Sequence, residues 1–202
     1  MYGVPYHKPA VRIRQLREAL HIIRLLWTED LPSYEGRYYR IREAICNPKP
    51  LQKPHPPIMI GGRGRRLTMK VVAEYADRWN WPPAVPCTPE VYGEYMEILR
   101  RNCEAVGRAP DGIVKSLGDI CHISRDRPRL KEDVARYKPD ELTMEDYMSH
   151  LIGTPEECIE KIEEYRDLGI SELVLQFPSL GAGETEGIEL FAEAVIPAFR
   201  RT

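Results

Sequence analysis

Residues 56–81, PPIMIGGRGRRLTMKVVAEYADRWNW, set Gly61, Gly62 and Gly64 among Arg63, Arg65 and Arg66, where a short apolar run gives way to a helical pattern. This combination suits an anion. The first N–H groups of a helix are unpaired and lie at the positive end of its dipole, and glycines let a phosphate approach the backbone closely. Gly61, Gly62, Arg63, Gly64 and Arg65 are therefore candidate phosphate-binding residues, with Arg66 beside them. The same residues also fit a plain turn from strand to helix with solvated arginines, and residue types alone leave both readings open.

Other candidates lie at the ends of apolar runs. Asn80 in DRWNW is placed to hydrogen-bond a ligand, with Trp79 or Trp81 as a pocket wall or as a core tryptophan, and Asp77 as either a site residue or the closure of the preceding turn. His122 in GDICHIS reads as a proton donor or, more simply, as a hydrogen-bonded core histidine. Gln176 and Ser179 near the end of LVLQFPS are candidates by position only. The chain shows no Ser-His-Asp order, no paired-carboxylate motif and no metal-ligand spacing. Its five cysteines, at 46, 87, 103, 121 and 158, are far apart and read as buried or semi-buried thiols.

Helices and strands must position these groups. In RIRQLREALHIIRLLW, Ile13, Leu16, Leu20, Ile23 and Trp27 recur every three or four residues, the spacing of one helix face. SYEGRYYRI reads as a hairpin or extended loop, and the prolines of NPKPLQKPHPP exclude a central strand. IMI is a strand ended by Gly61 and Gly62, followed by a helix through RRLTMKVVAEYA and a short strand, DRWNW. Thr88-Pro89 opens a further helix with an N-cap and a proline at its first position. KSLGDICHIS is a third strand, residues 129–149 a partly helical excursion, and Thr154 to Glu157 a capping box. SELVLQF is a fourth strand, and IELFAEAVIPAF a closing helix kinked near Pro197. Alternation without tight hairpins implies an α/β protein with parallel strands covered by helices, as a barrel or an open sheet.

The whole chain of 202 residues is consistent with a single domain. Lysine and arginine number 29 against 31 acidic residues, a balance that argues against nucleic acid as a partner. No stretch approaches a membrane span, and the amino end lacks a secretory layout, so a cytoplasmic protein is expected.

In order and spacing, the segments at Arg14 to Trp27, Glu35 to Tyr39, Asn47 to Gly62, Tyr75 to Asn80 and Gly153 to Cys158 resemble the luciferase-like monooxygenase family, particularly its deazaflavin-dependent oxidoreductases. The resemblance implies part of a TIM-type (β/α)8 barrel, about four parallel strands with flanking helices forming the carboxyl-terminal half of one. It implies a deazaflavin (coenzyme F-420) or FMN as cofactor, with the corner at Gly61–Arg65 and Asn80 on the cofactor side and a small organic molecule as substrate. It also implies a single luciferase-like domain over 1–202, truncated at its amino end. Such a half is expected to pair with a second copy or with a complementary amino-terminal half. Redox catalysis is the leading expectation, and a non-catalytic half-barrel that assembles with another chain is the alternative.

Overall fold

The structure, a computed structural model, describes residues 3, 5–83 and 87–200. Contacts gather these residues into two compact units, one formed by the chain up to Arg78 with Glu97–Ile113, the other by Trp79–Met96 with Val114 onward.

The first unit begins with α1 (Pro9–Thr28), which has proline in its first turn and buries Leu20 and Ile22. The expected stripe through Leu20 is present, but Ile22 is buried beside it while Ile13, Leu16, Ile23 and Trp27 are only half-buried. A short antiparallel hairpin follows, β1 (Tyr34–Glu35) with β2 (Arg40–Ile41). Glu18 on α1 fixes it by accepting the backbone N–H groups of Arg37 at 3.1 Å, Tyr38 at 2.9 Å and Tyr39 at 3.1 Å. Desolvation raises the Glu18 pKa, but the three N–H donors outweigh it and hold the carboxyl below the usual carboxylate range.

Next come β3 (Met59–Gly61) and α2 (Thr68–Tyr75), whose Met69, Val71, Val72 and Ala73 are buried. Arg17 reaches from α1 to Glu74 at 2.7 Å. The carboxyl end of α2 is closed by Arg108, whose guanidinium donates to the carbonyls of Ala73 and Ala76, each at 2.9 Å. These carbonyls have no acceptor role inside the helix, and a cation there also suits the negative end of the dipole.

In the second unit the strands β4 (Arg78–Trp81), β5 (Val114–Ile123) and β6 (Leu151–Gly153) are neighbours in that order, and β7 (Glu172–Gln176) also pairs with β5. Both described ladders of β5 are parallel. Ser116–Ile120 face Glu172–Gln176 of β7, and Cys121–Ile123 face Leu151–Gly153 of β6. From Ser116 onward every residue of β5 is buried, as expected of a strand covered on both faces. The helices are α3 (Pro89–Ala105, its residues from Glu97 belonging to the first unit), α4 (Arg127–Tyr137), α5 (Met144–Met148), α6 (Pro155–Asp167), α7 (Glu186–Leu190) and α8 (Ile196–Phe199).

Cys121 and Ile123 on one face of β5 pack with Leu151, Cys158, Phe191 and Val195. On the other face Ile120 packs with Val134 and Tyr147. Each such side chain contributes about 1.5–3 kcal/mol by leaving water. The capping box at α6 is complete, with the Thr154 N–H donating to Glu157 at 2.8 Å and the Glu157 N–H donating to the Thr154 hydroxyl at 3.4 Å. Between α7 and α8 the backbone forms a π-helical turn at Phe191–Val195, so the expected closing helix is irregular before it reaches Pro197.

β6 was not expected. Its three residues follow a half-helical excursion and are too few to show a period. Among the described residues no helix is long and apolar enough to cross a membrane.

Candidate functional site

In the first unit, Gly61 is the last residue of β3 rather than the turn itself, and the reversal falls at Gly62, whose φ of +124° suits glycine alone. Gly64 lies against the side chain of Thr68. A Cβ there would overlap the Thr68 hydroxyl and come within 3.1 Å of its Cβ. Arg65 and Arg66 lie in a turn, and the helix opens at Thr68, three residues later than the sequence pattern suggests. Leu67 holds the N-cap position and offers no side-chain acceptor. The Met69 N–H is taken by the Gly64 carbonyl at 3.1 Å.

The amino end of α2 is thus capped by backbone alone and approached by a glycine-containing loop. Arg65 and Arg66 are exposed and Arg63 is half-buried, and Arg63 and Arg65 both interact with other residues. Asp77, in this unit, closes the turn: its Oδ2 accepts the Ile58 N–H at 2.8 Å, while the N–H groups of Asp77 and Arg78 donate to the Ile58 carbonyl at 2.9 and 3.1 Å.

In the second unit, Asn80 is half-buried on β4 and its Oδ1 accepts the Ser116 hydroxyl at 2.8 Å. Its amide nitrogen is the group left for a ligand. Trp79 and Trp81 are not pocket walls. Both are fully buried in a cluster with Tyr92 and Tyr95, with Trp79 stacked on Tyr92 at 6.0 Å and Trp81 edge-on to Tyr95 at 5.2 Å. Strand alternation turns these two indoles toward α3 and Asn80 to the opposite face.

At the carboxyl ends of β5 and β7 lies a small cavity of about 80 Å3, lined by His122, Ser124, Arg129, Asp133, Ser179 and Glu186, among others. His122 is 4% exposed. Its Nε2 lies 2.6 Å from the Tyr147 hydroxyl, and its ring stacks on Tyr137 at 5.8 Å. Burial pushes the imidazole down to about 4 and the Tyr147 phenol up to about 12, so both are neutral at pH 7. Gln176 is exposed, whereas Ser179 contributes to the cavity.

A second buried polar group escaped the sequence reading. The Asp119 carboxylate accepts the His150 Nδ1 proton at 2.6 Å, the Tyr165 hydroxyl at 2.8 Å and the Ile120 N–H at 2.8 Å. Tyr165 belongs to α6 and Asp119 shares its strand parity with Cys121, so this network lies beneath the helix layer. The three side chains are 31 and 46 positions apart from Asp119 outward, with no motif to announce them.

Residues 1–143 match the family described as luciferase-like monooxygenase. An "F420-dependent glucose-6-phosphate dehydrogenase" of Segniliparus rotundus is 30% identical over 94% of this chain and 62% of its own length. An "FMNH(2)-dependent dimethylsulfone monooxygenase" of Pseudomonas putida is 25% identical over 98% of this chain and 61% of its own. The chain therefore spans somewhat under two thirds of the curated relatives it matches. Among solved structures, an F420-dependent secondary alcohol dehydrogenase superposes with a TM-score of 0.81 at 20% identity, over 99% of this chain and 66% of the other. The F420-dependent tetrahydromethanopterin reductase of Methanopyrus kandleri gives 0.72 at 19% identity, over 98% and 66%. Parallel strands under helices, the glycine corner and the sequence match over most of its length agree: the chain belongs to the luciferase-like monooxygenase family, with the α/β architecture of part of a TIM-type barrel.

Proposed function

We propose that this protein serves an oxidoreductase that uses a deazaflavin (coenzyme F-420) or FMN to transfer hydride to or from a small organic substrate, or to oxygenate it. The observation that carries the reading is the loop from Gly62 to Thr68. Its positive φ at Gly62 and a helix amino end without a side-chain cap support the reading, and with the Met69, Lys70 and Val71 N–H groups taken by the Gly64 and Leu67 carbonyls, the Thr68 N–H is the helix amide that a phosphate would meet. Gly62, Gly64 and the backbone at the start of α2 would hold the cofactor phosphate, with Gly61, Arg63 and Arg65 beside them. When bound, the ring system supplies the two-electron chemistry. The chain's own part is to orient substrate and to keep water out.

Activity of the whole protein is proposed to need further strands, supplied by a second copy or by a complementary amino-terminal half. Supporting this, the chain spans 61–64% of several relatives, and Val174 on β7 is 45% exposed. The test is a titration of the full chain with FMN and, separately, with coenzyme F-420, followed by fluorescence, with mass in solution measured in parallel. Saturable binding of either is expected. Binding of neither, by the chain alone or in its assembled form, overturns the proposal.

A further inference from the structure

We infer that the cavity at the carboxyl ends of β5 and β7 is a subsite for an uncharged oxygen function, an alcohol or a ketone, anchored by His122 Nδ1, and that its rim disfavours phosphorylated substrates. The inference rests on the oxidoreductase reading above and specifies its substrate class. His122 lines the cavity with a side chain that is 96% buried, Nε2 is committed to Tyr147, and Nδ1 has no partner among the described residues. The phenol is the stronger acid of the pair and donates to Nε2, so Nδ1 carries the ring proton and presents it to the cavity. A neutral N–H donor suits a carbonyl or hydroxyl oxygen. It lacks the positive charge that would hold a phosphate.

The rim points the same way. Among the described residues Asp133, Glu184 and Glu186 line the cavity with a single cation, Arg129. Arg129 already faces Glu186 at 3.5 Å, and the nearby Arg136 faces Glu184 at 3.1 Å. Three carboxylates against two guanidiniums leave one negative charge. A phosphate dianion about 6 Å from that charge is disfavoured by about tenfold even in water. Desolvation raises the pKa of the Asp133 carboxyl against the pull of Arg129, with Glu184 adding to the rise, as expected where negative charge gathers. A cavity of about 80 Å3 has room for a few heavy atoms.

The matched probes are propan-2-ol and isopropyl phosphate, titrated into the full chain and read by NMR at the backbone amides of Ile123, Ser124 and Gly187. Propan-2-ol should shift these amides saturably. Isopropyl phosphate should bind at least about tenfold more weakly at low salt, the gap closing as salt approaches about 0.5 M. Equal or tighter binding of the phosphate, or no shift with the alcohol, overturns the inference. His122→Phe keeps a ring and removes the donor, and should weaken propan-2-ol about tenfold; unchanged affinity also overturns it. Should that variant fail to fold, Glu184→Gln with Glu186→Gln releases Arg129 and Arg136, and should tighten isopropyl phosphate several-fold, absence of any change again counting against the rim. The cofactor titration is read independently: loss of cofactor binding with the alcohol preference intact removes the oxidoreductase reading alone.

Discussion

Replacing Gly62 with valine separates the two roles of the glycine corner. The residue holds φ at +124°, a region that costs a side-chain-bearing residue about 1–3 kcal/mol. For a chain of this size each kcal/mol lowers Tm by about 2–4 °C, so a loss of about 2–12 °C is expected from backbone strain alone. If the loop also binds a phosphate, displacement of one charge-assisted N–H bond removes a further ~1.5–3 kcal/mol of binding, a 10- to 150-fold rise in Kd. Calorimetry of the full chain reads the first effect, and fluorescence titration with FMN and coenzyme F-420 reads the second. Gly64→Ala tests the packing of the same loop: its methyl overlaps the Thr68 hydroxyl, and adding Thr68→Ala should restore most of the lost stability. A lowered Tm for Gly62→Val with unchanged cofactor affinity would refute the phosphate argument and leave the glycines as turn formers.

Three more outcomes follow from groups held by hydrogen bonds or burial. Asp119→Ala leaves His150 and Tyr165 buried without their acceptor and should cost about 3–5 kcal/mol in urea denaturation; a cost under about 1 kcal/mol would contradict the network. His122 is neutral in the fold, with its pKa near 4 against an ordinary 6.5, so the unfolded chain binds the extra proton between those values. Stability from this group is whole above pH 6.5 and declines toward pH 4 by about 3 kcal/mol, and the urea midpoint of His122→Phe should fall less over that window than that of the native chain. Arg108→Ala opens the carboxyl end of α2 at Ala73 and Ala76. It should cost about 2–3 kcal/mol, with faster amide exchange confined to the last turn of that helix; uniform exchange throughout the chain would speak against the capping role.

Features written in local residue order were legible from the sequence. Thr154 and Glu157 announce their helix because both halves of a capping box lie three residues apart, and Pro89 and Pro155 stand at helix starts for the same local reason. Gly62 was legible as a turn. The purpose of Gly64 was not, since it depends on where Thr68 points. Trp79 and Trp81 stayed open between pocket wall and core because a strand-end position does not say which face a side chain takes, and the partners that decide for the core, Tyr92 and Tyr95, sit on another element. His122 was readable as a histidine in an apolar strand, yet its partner Tyr147 arrives from α5, 25 residues away. β6 escaped because three residues carry no period.

β5 is ten residues long and is laddered to β7 over one stretch and to β6 over the next. It therefore acts as a rivet through two neighbours that share no described ladder with each other. Neither can detach without stripping a different part of the same strand. Its amides should accordingly be the last in the second unit to take up deuterium, released only when that whole unit opens at once.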